Sequence, residues 1–156
     1  MNDLEKIRAG SSPDYMPPLF IRSAYPPEAQ AIAESMRVFN VSRVGPVAME
    51  PLSLAAIDGG QLIGGILSEI GLSWLHVETL WVAETRRGTG VGRGLLASAE
   101  AEAHRRGCRG AFLDTFDWQA EPFYRKQGYH VFGRLEDCPY PGHVRTYMRK
   151  MFDPVV

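Results

Sequence analysis

The chain has 156 residues, 45% hydrophobic and 22% charged, with 17 Lys and Arg against 18 Asp and Glu for a net charge of −1. Those values describe an ordinary globular protein of one-domain length, and they exclude the strong positive field that a nucleic-acid or anionic-membrane binder needs. The opening MNDLEKIRAG has no apolar leader core, no apolar run approaches the roughly 20 residues of a membrane span, and Cys108 and Cys138, the only cysteines, have neither metal-ligand nor disulfide-framework spacing, so a reducing, cytoplasmic compartment is expected.

Residues 1–17 are polar and broken by Gly10-Ser11-Ser12-Pro13; they read as an unordered tail preceding a single domain over 18–156. Leu19-Phe20-Ile21 reads as a short first strand. Pro26-Pro27-Glu28 opens a helix, because proline is pre-organised for a first turn, and Ala31, Ile32, Met36 and Phe39 keep helical spacing. Residues 40–49, with Val44-Gly45-Pro46, carry no clear period.

Two β-rich runs, Leu52 to Ile57 and Leu62 to Leu67, flank Asp58-Gly59-Gly60, a strong hairpin signal. A Gly71-Leu72-Ser73 turn leads to a third strand, Leu75 to Val82, bounded by Ala83-Glu84-Thr85. Strict alternation along it puts Trp74, His76, Glu78, Leu80 and Val82 on one face and Leu75, Val77, Thr79 and Trp81 on the other.

A glycine-dense loop then runs from Arg86 to Gly94, followed by a helix in which Leu95, Ala99 and Ala103, with Leu96 beside them, form one apolar face; Gly107 occupies a C′ position. Strand, glycine loop and helix N-terminus together read as an anion site for a phosphorylated ligand, the rival reading being a glycine-rich turn that only lets the strand and helix pack closely. The first amides of a helix have no intrahelical partner, the aligned dipoles add partial positive charge, and glycines let a phosphate approach the backbone while Arg86, Arg87 and Arg93 surround it.

The loop lacks the Gly-Lys-Ser/Thr ending of a P-loop. A dinucleotide fingerprint also fails: counted from Gly88 its last glycine would be Arg93, and counted from Gly90 it would be Leu95.

Downstream, Phe112-Leu113-Asp114-Thr115 reads as a strand and residues 117–129 as a capped helix with its stop. Here Asp117 suits an N-cap, and Gly128-Tyr129 ends the element. His130 to Leu135 and Val144 to Lys150 read as a last strand pair joined through Pro139, Tyr140, Pro141 and Gly142. The expected class is α+β, a mixed, mostly antiparallel sheet of six or seven strands with helices on both faces.

The segment Arg87-Gly88-Thr89-Gly90-Val91-Gly92, of form R-x-x-G-x-G, resembles the pyrophosphate loop of the GNAT superfamily of acyl-CoA-dependent N-acyltransferases. A second motif of that family, Asn, then Ala three on, Tyr four further and a closing Gly-Phe or Gly-Tyr, is matched by Ala120, Tyr124 and Gly128-Tyr129, with Asp117 where Asn is commonest. The likeness covers about Leu62 to Phe152 and is loose over the N-terminal third.

The resemblance implies a three-layer αβα fold and acetyl-CoA as co-substrate. It also implies that amides near Leu80, Trp81 and Val82 hold the pantetheine arm, and that the amides of Gly88, Thr89, Gly90, Val91 and Gly92, flanked by Arg86, Arg87 and Arg93, take the pyrophosphate. Asp117 falls at the cofactor arm, although an ionised Asp offers only acceptors there.

Two catalytic roles follow. Tyr124 stands at the general-acid position: a phenol of pKa about 10 can hydrogen-bond or protonate a departing thiolate, the rival reading being a Tyr packed beside Phe123. Glu78 stands where the family often carries a carboxylate base, and a carboxyl held partly out of water suits a base near neutrality; the rival is a paired or solvated surface Glu.

His76 reads as a satisfied sheet residue and His104 and His130 as exposed, while His143 lies between a turn and a strand. None has metal-ligand spacing, so no metal is expected.

Three functional readings stand. The leading one is transfer of acetyl from acetyl-CoA directly to a primary amine of a small molecule; the others are a protein N-terminal or lysine acetyltransferase and a non-catalytic acyl-CoA-binding module. Neither nucleic acid nor membrane is expected as a partner, and homodimers are frequent among similar proteins. Acceptor choice would rest with the N-terminal helix, residues 40–51 and the 138–143 loop, which carry no readable motif.

Overall fold

The hairpin turn is made by Gly59 and Gly60, with φ of 55° and 79°. A two-residue turn with both central residues at positive φ matches the right-handed strand twist and is open to glycine at no steric cost. It joins β1 (Glu50–Asp58) to β2 (Gln61–Gly71) in antiparallel register. The computed structural model describes residues 19–153, so the expected tail at 1–17 lies outside the described residues.

From β2 the chain turns through Leu72 and Ser73, also at positive φ, into β3 (Trp74–Val82), again antiparallel. A 3₁₀ turn at Glu84–Arg86 and the glycine loop lead to α2 (Val91–Arg105). Then follow β4 (Gly110–Phe116), the short α3 (Glu121–Lys126), β5 (His130–Glu136) and β6 (Val144–Met151). The sheet order is β1-β2-β3-β4-β6-β5, with β3 and β4 the one parallel pair. The α+β class therefore holds, with six strands.

Two contact units divide the chain, Met1–Gly45 and Pro46–Val156. The described part of the first is the helix α1 (Pro26–Val44), with prolines in its first turn as expected. The Glu28 carboxylate accepts the Tyr25 N–H at 2.8 Å and pairs with Arg22 at 2.7 Å, satisfying one helix-end donor. Gly45, at φ 78°, ends the helix, so residues 40–44 of the stretch without clear period are helical. Leu19-Phe20-Ile21 forms no strand, a correction to the reading above. Three apolar residues just ahead of a proline-started helix make too few ladder bonds to offset their ordering entropy.

The second unit has its core where α2 lies over the sheet. Leu95, Leu96, Ala99 and Ala103, the face expected from spacing, are buried against Leu75, Val77, Ala111, Leu113 and Met148. Ala99 and Ala103 bring the helix axis close because they carry no long side chain.

Two features of β3 prepare the site. First, its pairing with β4 covers only Trp74–Val77 against Gly110–Leu113, so the two strands part after Val77 and Leu113. Second, Ser68 pairs with Val77 and Leu67 with Thr79, which leaves Glu78 as the extra residue of a β-bulge. The bulge reverses the alternation. Leu80 packs with the core on the α2 side, as Leu75 and Val77 do, and Trp81 is exposed. The strict two-face alternation expected through Glu78 is thus corrected.

Candidate active site

The parting of β3 and β4 opens a cleft of about 770 Å³. Leu80, Trp81 and Val82 form one wall, the loop from Arg86 to Arg93 its floor, and Trp118, Gln119, Ala120, Phe123 and Tyr124 the opposite wall. Every position expected at the cofactor lies on this lining except Val91 and Asp117.

The loop end is built for an anion. Gly88 and Gly90 have φ of 75° and 93°, a region that costs other residues roughly 1–2 kcal/mol. With those turns made, no backbone N–H from Gly88 to Arg93 finds an acceptor among the described residues; the first helical bond is Gly94 N–H to Gly90 C=O at 2.9 Å. Six successive amides are left free at a helix N-terminus, where the dipole adds positive potential. Thr89 Oγ1 donates to the Arg86 carbonyl at 2.7 Å and braces the turn.

The arginines differ. Arg86 is bound to Asp58, whereas neither Arg87 nor Arg93 pairs with a carboxylate among the described residues. Arg87 Nε lies 3.4 Å from the Val82 carbonyl. Val91 turns its side chain toward the sheet, half-buried beside Gly64, which takes it off the cleft lining.

Tyr124 stands on α3 within the opposite wall and is 7% exposed. Burial, and then the Asp114 charge, push its phenol up to about 12, so it holds its proton throughout the neutral range. Its hydroxyl has no hydrogen-bond partner among the described residues, and no buried polar side-chain atom is left unsatisfied, so the hydroxyl meets the cleft. Phe123 and Tyr129 hold the ring edge-on at 5.1 Å and 5.8 Å. Tyr129 is in turn fixed by Glu100, its hydroxyl donating at 2.8 Å, and Lys150 meets the other Glu100 oxygen at 2.5 Å. An α2–β6 polar lock therefore stands behind the α3 wall.

Glu78 is exposed rather than partly buried, because the bulge lifts it out of the pleat, and it does not line the cleft. It lies at the fork, one residue beyond the last β3–β4 pair.

Asp117 does not cap a helix. The helix begins at Glu121, with Ala120 at its N-cap, and the expected 117–129 element is shortened to Glu121–Lys126. The intervening loop is tied by Gln119 Oε1, which accepts the Phe116 N–H at 2.9 Å, and the Asp117 carboxylate is drawn to β6 instead. There it accepts the Val144 N–H at 3.2 Å and meets His143 Nδ1 at 3.1 Å, and the imidazole holds its carboxyl below the usual range. His76 is a stacked sheet residue against Phe112, at 4.5 Å. Among the described residues no His, Cys, Asp and Glu group could hold a metal, and no helix is long and apolar enough to cross a membrane.

Chain patterning did not single out Gly64, Gln119 or Phe123. For Gly64 the signal was present as the Gly64-Gly65 pair inside a strand, since glycine there marks close backbone approach.

The Acetyltransferase (GNAT) family profile matches residues 18–129. Blasticidin-S acetyltransferase of Streptomyces morookaense is 43% identical over 84 residues, 53% of this chain and 61% of that relative, so the match spans less than two thirds of the relative's length. The 1.9 Å crystal structure of an acetyltransferase from Bacillus cereus superposes with a TM-score of 0.78 at 33% identity, over 86% of this chain and 98% of that one. A Bacillus anthracis protein named as a candidate streptothricin acetyltransferase, solved with acetyl coenzyme A, superposes with a TM-score of 0.61 at 26% identity, over 67% and 64% of the two chains.

Proposed function

The chain belongs to the GNAT family of acetyltransferases, and from that premise we propose that it transfers the acetyl group of acetyl-CoA directly to a primary amine of a small molecule. One observation carries this reading: five of the six residues with free backbone N–H groups, Gly88, Thr89, Gly90, Gly92 and Arg93, line the same cleft as Tyr124. The relatives named for blasticidin S and streptothricin support a small acceptor.

In this reading Gly88 to Arg93 hold the pyrophosphate through their amides, with Arg87 and Arg93 supplying unneutralised charge. Leu80 to Val82, beyond the fork and free of β4, present strand backbone to the pantetheine arm and polarise the acetyl carbonyl. The amine nitrogen forms its bond to the carbonyl carbon as the carbon–sulfur bond breaks. Glu78, at the fork but off the cleft lining, takes the proton the amine loses by way of a water, and Tyr124 gives its proton to the sulfur. A phenol pushed up to about 12 stays protonated until that moment. No covalent enzyme intermediate is needed.

Calorimetric titration of acetyl-CoA into wild type and Gly90→Trp, followed by CoA-release assays on panels of small amines and of peptides, tests the reading. Saturable binding lost in the folded Gly90→Trp variant, and turnover of small amines that falls roughly 100-fold in Tyr124→Phe at unchanged acetyl-CoA affinity, is the expected outcome. Binding without turnover of any amine would leave a non-catalytic acyl-CoA module, and turnover of peptides alone would make the acceptor a protein.

A further inference from the structure

Trp118 is 54% exposed on the wall of the cleft, yet it is held from two sides. Its ring stacks on Phe116 at 4.6 Å with planes 9° apart, and it meets the His143 ring edge-on at 5.0 Å and 88°. His143 is fixed by Asp117, whose backbone N–H also donates to the Val144 carbonyl at 3.1 Å. The indole has no hydrogen-bond partner among the described residues. A half-exposed tryptophan immobilised in this way has already given up its rotamer freedom and presents apolar area to the cleft at no further ordering cost.

The place of the ring decides which reactant it meets. Ala111, Leu113 and Thr115 of β4 are buried toward α2, so Phe116, on the alternate face, carries Trp118 to the side of the sheet away from α2. Trp81, 46% exposed, follows the β3 bulge on that same side while its neighbours Leu80 and Val82 turn toward α2. The anion floor lies at the α2 N-terminus. A ligand whose phosphates rest there leaves the two indoles, one on each lip of the fork, to the other reactant. Ring faces attract flat groups by stacking and ammonium groups through the quadrupole.

Resting on the acetyltransferase reading, we propose that Trp118 and Trp81 form an aromatic acceptor site that selects primary amines bearing a flat ring, and that His143, anchored by Asp117, is the positioning residue that holds Trp118 in place.

The test is CoA release at saturating acetyl-CoA with ring-bearing amines (tryptamine, histamine, benzylamine) and ring-free ones (putrescine, spermidine, ethanolamine), in wild type, Trp118→Ala, Trp118→Phe and His143→Ala. Wild type should have the lower KM for the ring-bearing set. Trp118→Ala should raise that KM roughly tenfold while moving ring-free KM values, acetyl-CoA KM and thermal stability little. Trp118→Phe should recover most of the loss, and His143→Ala should show a smaller rise confined to the ring-bearing set. Equal loss for both sets, a change confined to acetyl-CoA KM, or preference for ring-free amines in wild type would overturn the aromatic acceptor site. No turnover of any amine, with acetyl-CoA still bound in calorimetry, would overturn the acetyltransferase reading itself and this inference with it.

Discussion

Gly64 on β2 and Val91 in the first turn of α2 touch so closely that a Cβ built on Gly64 would stand 3.0 Å from Val91 Cγ1, and equally 3.0 Å from the Trp81 carbonyl oxygen. The helix N-terminus that forms the anion floor is therefore seated on the sheet by a missing side chain. Gly64→Val should overpack this contact, costing about 1–3 kcal/mol, and lift the floor from Leu80 to Val82. Thermal denaturation should show a lowered Tm, and calorimetry roughly tenfold weaker acetyl-CoA binding; an affinity equal to wild type would show that α2 is not seated by this contact.

Arg93 pairs with no carboxylate among the described residues. Its replacement by alanine should leave Tm unchanged while weakening acetyl-CoA binding about tenfold at low salt and less at 0.5 M salt, because an exposed charge is screened there. Arg86→Ala differs, since it also frees Asp58 beside the floor and adds an unbalanced negative charge. Titrations at two salt concentrations separate the two variants.

Burial raises the Tyr124 phenol to about 12, above the unfolded value near 10. A pKa raised in the folded state gives stability that is complete below pH 10 and drains away as pH rises from 10 toward 12, because the unfolded chain releases the proton first. That amounts to roughly 2–3 kcal/mol. Tyr129, raised further by burial and by Glu100, acts in the same direction. Urea unfolding at pH 8, 10 and 11 should show wild type losing more stability than Tyr124→Phe, and an equal loss would mean that Tyr124 is not held out of water.

Glu100 joins α2 to Tyr129 and to Lys150 of β6, with 12% of its side chain exposed. Glu100→Ala leaves an ammonium and a phenol without their acceptor and should cost about 2–4 kcal/mol, whereas Tyr129→Phe removes one neutral donor and should cost about 1–2 kcal/mol. A double-mutant cycle between Glu100 and Tyr129 should show coupling of at least about 1 kcal/mol. Additive losses would show that the two act separately.

The sequence by itself determined whatever depends on near neighbours along the chain. Gly59-Gly60 at the hairpin, the Leu95 to Ala103 stripe, the register of Gly88, Gly90 and Gly92, and Tyr124 four residues after Ala120 each follow from backbone sterics or a helical period, which act within a few residues. Only the tertiary structure decided the rest. The Glu78 bulge arises because β2 and β3 slip by one residue between their two ends, and the fork arises because β4 leaves β3 after Leu113; neither is written in the alternation of β3 alone. Asp117 has the composition of an N-cap, but its carboxylate meets His143 and Val144, whose approach depends on how β6 returns beside β4. Propensity set what each residue could do locally, and the pairing of distant strands chose among those options: once β6 lies beside β4, the Asp117 carboxylate meets both the Val144 N–H and the His143 ring.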